Sequence, residues 1–365
     1  MKKFTKFLSL FLCLVMALGV LVACKSNPDA GQNNANTDNN AAQVLAGDFY
    51  DENGLFYVAN EDNTCKVSVG RATSLKEIVI PATYQGYTVT SIAQSGFFGC
   101  ENLESITIPE TVTEIGNLAF QNSTNLAEIK LAGNSQLKMI GASAFENTKF
   151  YNTDENWENG ALYFGKYLIR VKDNVSTCTI KDGIEAIGDY AFYNCKALKK
   201  VEIPTSVKYI GILSFANCSE GIEVSIQSLK DWCSIEFANQ ASNPLAIKSS
   251  KLLLNNAVVR DIRFSEEITT INAYAFYGYT QFTRVTFSTA IQKIGEKAFA
   301  KASNLGVDIE NDDENGNGIK NEITTYRTYY EGEANDWKKV NKGGSGLPED
   351  KNIHCIDTIP YVPKK

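Results

Sequence analysis

The chain has 365 residues, 44% of them hydrophobic, a net charge of −7 and one histidine, His354. A single histidine, close to the C-terminus, nearly excludes chemistry built on Ser-His-Asp or Cys-His arrangements or on a histidine-rich zinc site. The acidic balance disfavours nucleic acid, which is held through Lys and Arg on phosphate.

The N-terminus reads as an address. Lys2, Lys3 and Lys6 precede an apolar run from Phe7 to Val22, the layout of a secretory signal over residues 1–23. The run ends in Leu21-Val22-Ala23-Cys24, which resembles a bacterial lipobox. Cys24 is then expected to be diacylated on sulfur and to become the mature N-terminus, placing the protein on the outer face of the cell membrane. Loss of the three lysines takes the net charge from −7 to −10. Residues 24–46, rich in Asn, Ala and Asp and without an aromatic residue, read as a flexible tether.

From residue 47 the chain repeats itself. An isoleucine is followed five residues later by phenylalanine at Ile92/Phe97, Ile115/Phe120, Ile140/Phe145, Ile187/Phe192, Ile210/Phe215, Ile271/Phe276 and Ile294/Phe299. Successive isoleucines are 23, 25, 47, 23, 61 and 23 residues apart, so the period is 23 and the long steps hold enlarged units. Each unit also carries an alternating strand such as Ile106-Thr107-Ile108, and Pro81, Pro109 and Pro204 follow three of these. Six buried side chains contribute about 1.5–3 kcal/mol each. Ordering the backbone costs about 1–2 kcal/mol per residue. One unit cannot fold alone, so units must stack.

Three columns give the contact between units. The residue before each Phe is small: Gly96, Ala119, Ala144, Ala191, Ser214, Ala275 and Ala298. The residue after each Ile is Gly at 116, 141, 188, 211 and 295, but Ala93 and Asn272 elsewhere, which points to close approach rather than a required positive φ. Three residues after Phe stand Cys100, Ser123, Thr148, Cys195, Cys218, Tyr279 and Ala302, with the cysteines reading as compact buried side chains.

The stretches "CENLESITIPETVTEIGNLAF" and "CKALKKVEIPTSVKYIGILSF" resemble BspA-type leucine-rich repeats of bacterial surface proteins, over roughly residues 50–305. The resemblance implies a mainly β solenoid with a parallel sheet on one side. It also implies a surface location and, as in some members, adhesin-like binding of an extracellular protein or glycan.

Two inserts interrupt the repeat. Residues 151–176 contain a hairpin turning at Gly165-Lys166, and residues 229–260 one with Asn255-Asn256 at its tip. "NDWKKV" at 335–340 echoes "KDWCSI" at 230–235, and Trp157, Trp232 and Trp337 read as packing anchors of irregular coils. Residues 306–365 are expected to form an acidic loop, a C-terminal cap with one closing strand, and a loose tail from 341.

Candidate chemistry is sparse. Asn311 to Glu322 matches a calcium loop only in part: position one is Asn311 rather than Asp, and a solvated acidic loop accounts for it. No metal or cofactor is expected. Cys65, Cys100, Cys178, Cys195, Cys218, Cys233 and Cys355 are an odd number in repeat columns, which favours free buried thiols over a disulfide framework. No catalytic set appears, and an enzyme would need an unrecognised carboxylate pair. Outward strand positions form polar rows of mixed sign without aromatics. Tyrosines gather beside the Phe column at Tyr190, Tyr193, Tyr274, Tyr277 and Tyr279, and these are the candidate ligand-binding residues. The sequence therefore points to a lipid-anchored surface binding protein. A spacer lipoprotein with no dedicated ligand is the alternative.

Overall fold

The chain returns to the same backbone path at each repeat, and two parallel strands mark each regular return. A computed structural model describes residues 49–302, 305, 307–312 and 321–355. The signal segment, Cys24 and the tether lie outside these residues. The chain divides into two units, Met1–Asn152 and Thr153–Lys365.

In the first unit an antiparallel cap, Phe49–Tyr50, Phe56–Ala59 and Thr64–Ser68, leads into the parallel strand Tyr87–Ile92. Glu77–Val79, Ser105–Ile108 and Glu128–Leu131 form the expected parallel sheet, with Ile78, Ile106 and Ile129 opposite one another. A second, narrower ladder joins Ile92, Ile115 and Ile140, so the isoleucine column is itself a strand.

The second unit repeats this plan. Thr177–Thr179, Lys200–Ile203, Glu223–Ile226 and Lys251–Leu254 pair in parallel, as do Ala186–Ile187, Tyr209–Ile210 and Glu236–Phe237. Both expected hairpins are present. Ala161–Phe164 returns as Tyr167–Val171 through Gly165, at φ 55°. Lys251–Leu254 returns as Ala257–Val258 through Asn255 and Asn256, at φ 52° and 64°, the two positive φ values of a type I′ turn. The enlarged units keep the ladder by substitution: Leu168 stands opposite Ile187, and Phe237 opposite Ile210.

The phenylalanines stack from coil to coil. Ring centroids are 5.5 Å apart for Phe97–Phe120, 5.7 Å for Phe120–Phe145, 4.5 Å for Phe192–Phe215 and 5.2 Å for Phe276–Phe299, each pair within 20° of parallel. All seven are buried, with the isoleucine column beside them. Trp232 and Trp337 anchor short helices, Leu229–Ser234 and Ala334–Trp337, and both are 1% exposed. Each indole N–H has an acceptor: the Ala275 carbonyl at 3.0 Å and Asp350 Oδ1 at 2.9 Å.

The segment around each Phe is bent by a pair of left-handed residues. Three residues after Ile stand Ser95, Leu118, Ser143, Tyr190, Leu213, Tyr274 and Lys297, all with φ between 53° and 62°. Two residues after Phe stand Gly99, Asn122, Asn147, Asn194, Asn217, Gly278 and Lys301, all with φ between 57° and 75°. The second column is mostly Asn and Gly, the residues that adopt this conformation at least cost. The first is not, and its bulky members carry strain of about 1–3 kcal/mol each. The bend aligns the peptide groups. Carbonyls of 117, 119 and 121 accept from the preceding coil, while N–H groups of 118, 120 and 122 donate to the following one. The same pattern links 190, 192 and 194 to 212, 214 and 216.

The glycine column is set by close approach, as expected. None of these glycines has a positive φ, yet a Cβ on Gly116, Gly141 or Gly211 would lie 2.5–2.6 Å from a backbone nitrogen of the coil before, and on Gly295 closer still. These four follow regular coils. Ala93, Gly188 and Asn272 follow the cap or an insert, and there the contact relaxes: a Cβ on Gly188 would meet nothing nearer than 3.2 Å.

The column three residues after Phe is buried at five of its seven positions, Cys218 and Ala302 being half-buried, and it is not merely compact. Ser123 Oγ donates to the Phe97 carbonyl at 2.6 Å and Cys218 Sγ to the Phe192 carbonyl at 3.0 Å, each reaching back one coil. One residue after the glycine column, Asn117 Oδ1 accepts from Ala142 N at 2.8 Å, and Asp189 Oδ1 from Ile212 N at 2.7 Å. Asp189 is half-buried, and desolvation pushes its carboxyl above the ordinary value.

The C-terminal region departs from expectation. The closing strand is two: Asn321–Tyr326 pairs with Val307–Asp312 as an antiparallel hairpin, while Thr328–Tyr330 joins a parallel sheet after Asp261–Phe264 and Arg284–Phe287. Residues 341–355 are no loose tail. Asn341 bridges Lys293, Lys297 and Phe299 donate to the Gly344 and Ser345 carbonyls, and His354–Cys355 adds a fourth strand beside Tyr329 and Tyr330. Ile353 and Cys355 are 2% and 1% exposed, so burial of their side chains holds the segment down. Coil stacking thus continues beyond residue 305, and the rest of the expected tail, 356–365, lies outside the described residues.

Two outcomes are expected. Gly211→Ala lowers the denaturant midpoint by the equivalent of about 1–3 kcal/mol, the usual cost of overpacking, whereas Gly188→Ala costs less than about 1 kcal/mol; equal losses would contradict the contact account. Asp189→Asn keeps the acceptor for Ile212 N and removes a partly desolvated charge. Because the folded carboxyl titrates above its unfolded value, the wild type loses stability as pH rises from about 4 through the folded value. The variant should therefore melt higher at pH 7, with the gain vanishing below about pH 4 in thermal scans.

Candidate binding surface

The five tyrosines do not form one site. Tyr190 and Tyr193 are half-buried and meet edge-on at 5.5 Å, with Asn217 Nδ2 donating to Tyr193 Oη at 3.1 Å. Tyr274 and Tyr277 form a second pair at 6.1 Å, with the Lys297 ammonium 5.8 Å from the Tyr274 ring and that of Lys301 5.6 Å from the Tyr277 ring. Tyr277 is only 7% exposed, and Tyr279 is fully buried. Tyr279 Oη donates to the Val259 carbonyl at 2.6 Å and accepts from Leu252 N at 3.3 Å. It ties the second hairpin to the coil that follows, where cysteine or serine is too short, and so is a core residue rather than a ligand contact. Tyr190, Tyr193 and Tyr274 remain accessible in part, in separate pairs. Cys24 lies outside the described residues.

Burial governs the thiols. Cys65, Cys178, Cys195, Cys218 and Cys233 are free thiols, and Cys100 and Cys355 are buried. Burial pushes Cys65 and Cys218 up to about 11 and Cys178 and Cys195 up to about 12, and Cys233 rises as well, so they stay protonated at neutral pH. No group of three or more His, Cys, Asp or Glu among the described residues is placed to hold a metal ion. In the partial calcium match, Asn311 and Glu322 face each other across the antiparallel hairpin; residues 313–320 lie outside the description.

The outward faces of the three long sheets differ in charge. In the first unit the rows are Glu77, Ser105, Glu128 and Val79, Thr107, Lys130, with Lys130 3.1 Å from Glu128. The first long sheet of the second unit presents Thr177, Lys200, Glu223, Lys251 and Thr179, Glu202, Ser225, Leu253. Its charges pair off: Lys200 with Glu202 at 2.5 Å and Lys251 with Glu223 at 3.2 Å.

The C-terminal sheet is built otherwise. One row holds Asp261 and Arg284; the other holds Arg263, Thr286, Tyr329 and His354, and Val285 N donates to the Arg327 carbonyl just before the third strand. The Arg284 guanidinium lies 5.2 Å from the Tyr329 ring, and Tyr329 meets His354 edge-on at 5.3 Å. Arg263 holds Glu331 in a two-pronged contact at 2.5 and 2.8 Å, while Arg284 is 3.8 Å from Asp261. Outward rows free of aromatics are thus found on the earlier strands alone. Tyr329 and His354 enter through strands that have no alternating apolar run to announce them. The one available signal was compositional: of six arginines, Arg260, Arg263, Arg284 and Arg327 fall within 68 residues.

A family model agrees with this architecture. The BspA type leucine rich repeat region matches in six copies, over residues 70–156, 162–250 and 247–315. The T. pallidum leucine rich repeat protein TpLRR is 22% identical, covering 48% of this chain and 84% of that one at a TM-score of 0.33. A leucine rich cell surface protein from Faecalibacterium prausnitzii A2-165 is 21% identical over 71% and 75% of the two chains, TM-score 0.33. The pneumococcal vaccine antigen PcpA is 18% identical over 71% and 70%, TM-score 0.30. No curated protein matches. The repeats matched cover well over half of the chain, which belongs to the BspA-type leucine-rich repeat family.

Proposed function

We propose that the protein is a lipid-anchored surface receptor-like module that binds an extracellular protein or glycan and holds it near the cell. The observation that carries this reading is the order of parts in one chain: Lys2, Lys3, an apolar run, Leu21-Val22-Ala23-Cys24, a polar tether, then stacked repeats of a bacterial surface family. Each part has a physical role. Lipid chains on Cys24 contribute about 0.8 kcal/mol per buried methylene, and two or more chains anchor stably where one does not. The tether behaves as a coil with an end-to-end distance of roughly 25 Å, enough to lift a folded domain off the lipid surface. The stacked coils present outward side chains on a fixed frame, which suits recognition of a large partner.

Cys24→Ala should move the protein from the membrane fraction to the soluble fraction and abolish incorporation of labelled fatty acid. Full membrane retention of that variant would reject the anchor. Binding is tested separately, by immobilising the chain and presenting host matrix proteins and bacterial surface polymers. Capture of none of them would favour a spacer role.

A further inference from the structure

We propose that the outward face of the N-terminal cap, centred on Tyr50, Phe56 and Val58, rests on the lipid surface to which Cys24 anchors the chain. This deepens the surface-protein reading and rests on its lipid anchor. The pairing register of the cap sets its two faces. Tyr57 stands opposite Phe49 on one side and Val67 on the other, and Tyr57 and Val67 are fully buried, so that face lines the core. Successive side chains alternate along a strand, so Tyr50 opposite Phe56 and Val58 opposite Lys66 lie on the other face. Tyr50 and Val58 are 42% and 39% exposed, and the Tyr50 and Phe56 rings meet at 5.0 Å. An antiparallel sheet with one face in water turns polar residues outward. The long sheet of the same unit does so, with Glu77, Ser105 and Glu128 in one outward row. The cap is apolar on both faces, the mark of a surface that meets something other than water.

The position of this face in the chain selects the occupant. Tyr50 stands 26 residues after Cys24. A coil of that length has an end-to-end distance of roughly 25–30 Å. Anchored through Cys24, the cap therefore meets the bilayer at high effective concentration, and a patch too weak to hold a membrane alone is enough to seat it. A protein partner has to find the same face from free solution. The side chains suit the headgroup level. Tyrosine has an apolar ring and a polar tip and is enriched at membrane–water boundaries. The Arg71 guanidinium lies 4.2 Å from the Tyr50 ring, at the border of the patch. Charge does not select the lipid. Lys66 and Arg71 are exposed, but so are Glu52 and Glu61 at the two hairpin turns. Asp51 and Asp62 are engaged within those turns, where Asp51 Oδ1 accepts from Leu55 N at 2.9 Å and Asp62 Oδ1 from Thr64 N at 3.1 Å. The seat is apolar, so zwitterionic lipid suffices.

The test uses the lipidated full chain in phosphatidylcholine vesicles, with or without bromine on the acyl chains, which quenches nearby indoles. Tyr50→Trp places a reporter on the face, and the wild type, with Trp157, Trp232 and Trp337, supplies the background. Side chains seated at the headgroup–acyl boundary lie about 5–10 Å deep, so the emission added by Tyr50→Trp should fall at least about twofold in brominated vesicles. Moderate salt should leave that quenching unchanged. Adding Val58→Asp, at an exposed position, should remove most of it while the chain still floats with the vesicles. Thermal unfolding of each variant confirms that a lost seat is not a lost fold. A chain that floats yet shows no quenching, equal quenching with Val58→Asp, or quenching lost in moderate salt overturns this seat alone and leaves the anchor standing. A wild-type chain that fails to float overturns the anchor and the seat together.

Discussion

Successive coils touch backbone to backbone, and most of what each repeat can vary follows from that contact. Where Gly116 passes Gln94, or Gly211 passes Asp189, there is no volume for a methyl group. The approach is drawn tight from both sides. Stacked phenylalanines fill the interior, and aligned peptide groups link each coil to the next by hydrogen bonds. To align those peptides the chain accepts two left-handed residues per repeat. The strain is tolerable because neighbouring coils fix the same bend and share the resulting hydrogen bonds. Where a neighbour is irregular the constraint loosens, and Ala93 and Asn272 appear in the glycine column.

This design makes the inside of each unit chemically quiet. Interior columns hold isoleucine, phenylalanine and small residues whose polar atoms are turned to carbonyls of the preceding coil, as with Ser123 and Cys218. Burial keeps the thiols of Cys65, Cys178, Cys195, Cys218 and Cys233 protonated. Variation that recognition needs is therefore confined to the outward rows and to the edges beside the Phe column. Among the long sheets, charge balance distinguishes the faces: ion pairs such as Lys251 with Glu223 neutralise one, while arginine accumulates on the C-terminal one.

Legibility followed locality. The two hairpins were readable because Gly165-Lys166 and Asn255-Asn256 carry their own turn chemistry between apolar runs. Trp232 and Trp337 were readable as anchors because bulky aromatics interrupt a regular pattern. Tyr279 was not, since in sequence it is simply the third of three nearby tyrosines. Only the second hairpin, enlarging the space that a cysteine fills elsewhere, turns it inward to Val259 and Leu252. The left-handed column of Ser95, Leu118 and Tyr190 was equally hidden, because its side chains show none of the Gly or Asn preference that marks its companion at Asn122 and Asn194.

The sequence by itself determined the coil, its period, the columns that face inward and the presence of two inserts, because each is a repeated local choice whose physics is the same at every recurrence. Tertiary structure alone decided how the chain ends. Thr328–Tyr330 and His354–Cys355 are strands of three and two residues, too short for any period to mark them. They exist because an open sheet edge beside Arg284–Phe287 offered unsatisfied backbone groups, and because burying Ile353, Cys355 and Trp337 against that edge outweighs leaving the segment free. The same docking sets Tyr329 and His354 beside Arg284, so the most distinctive outward face of the protein belongs to residues far apart in sequence that only the folded chain brings together.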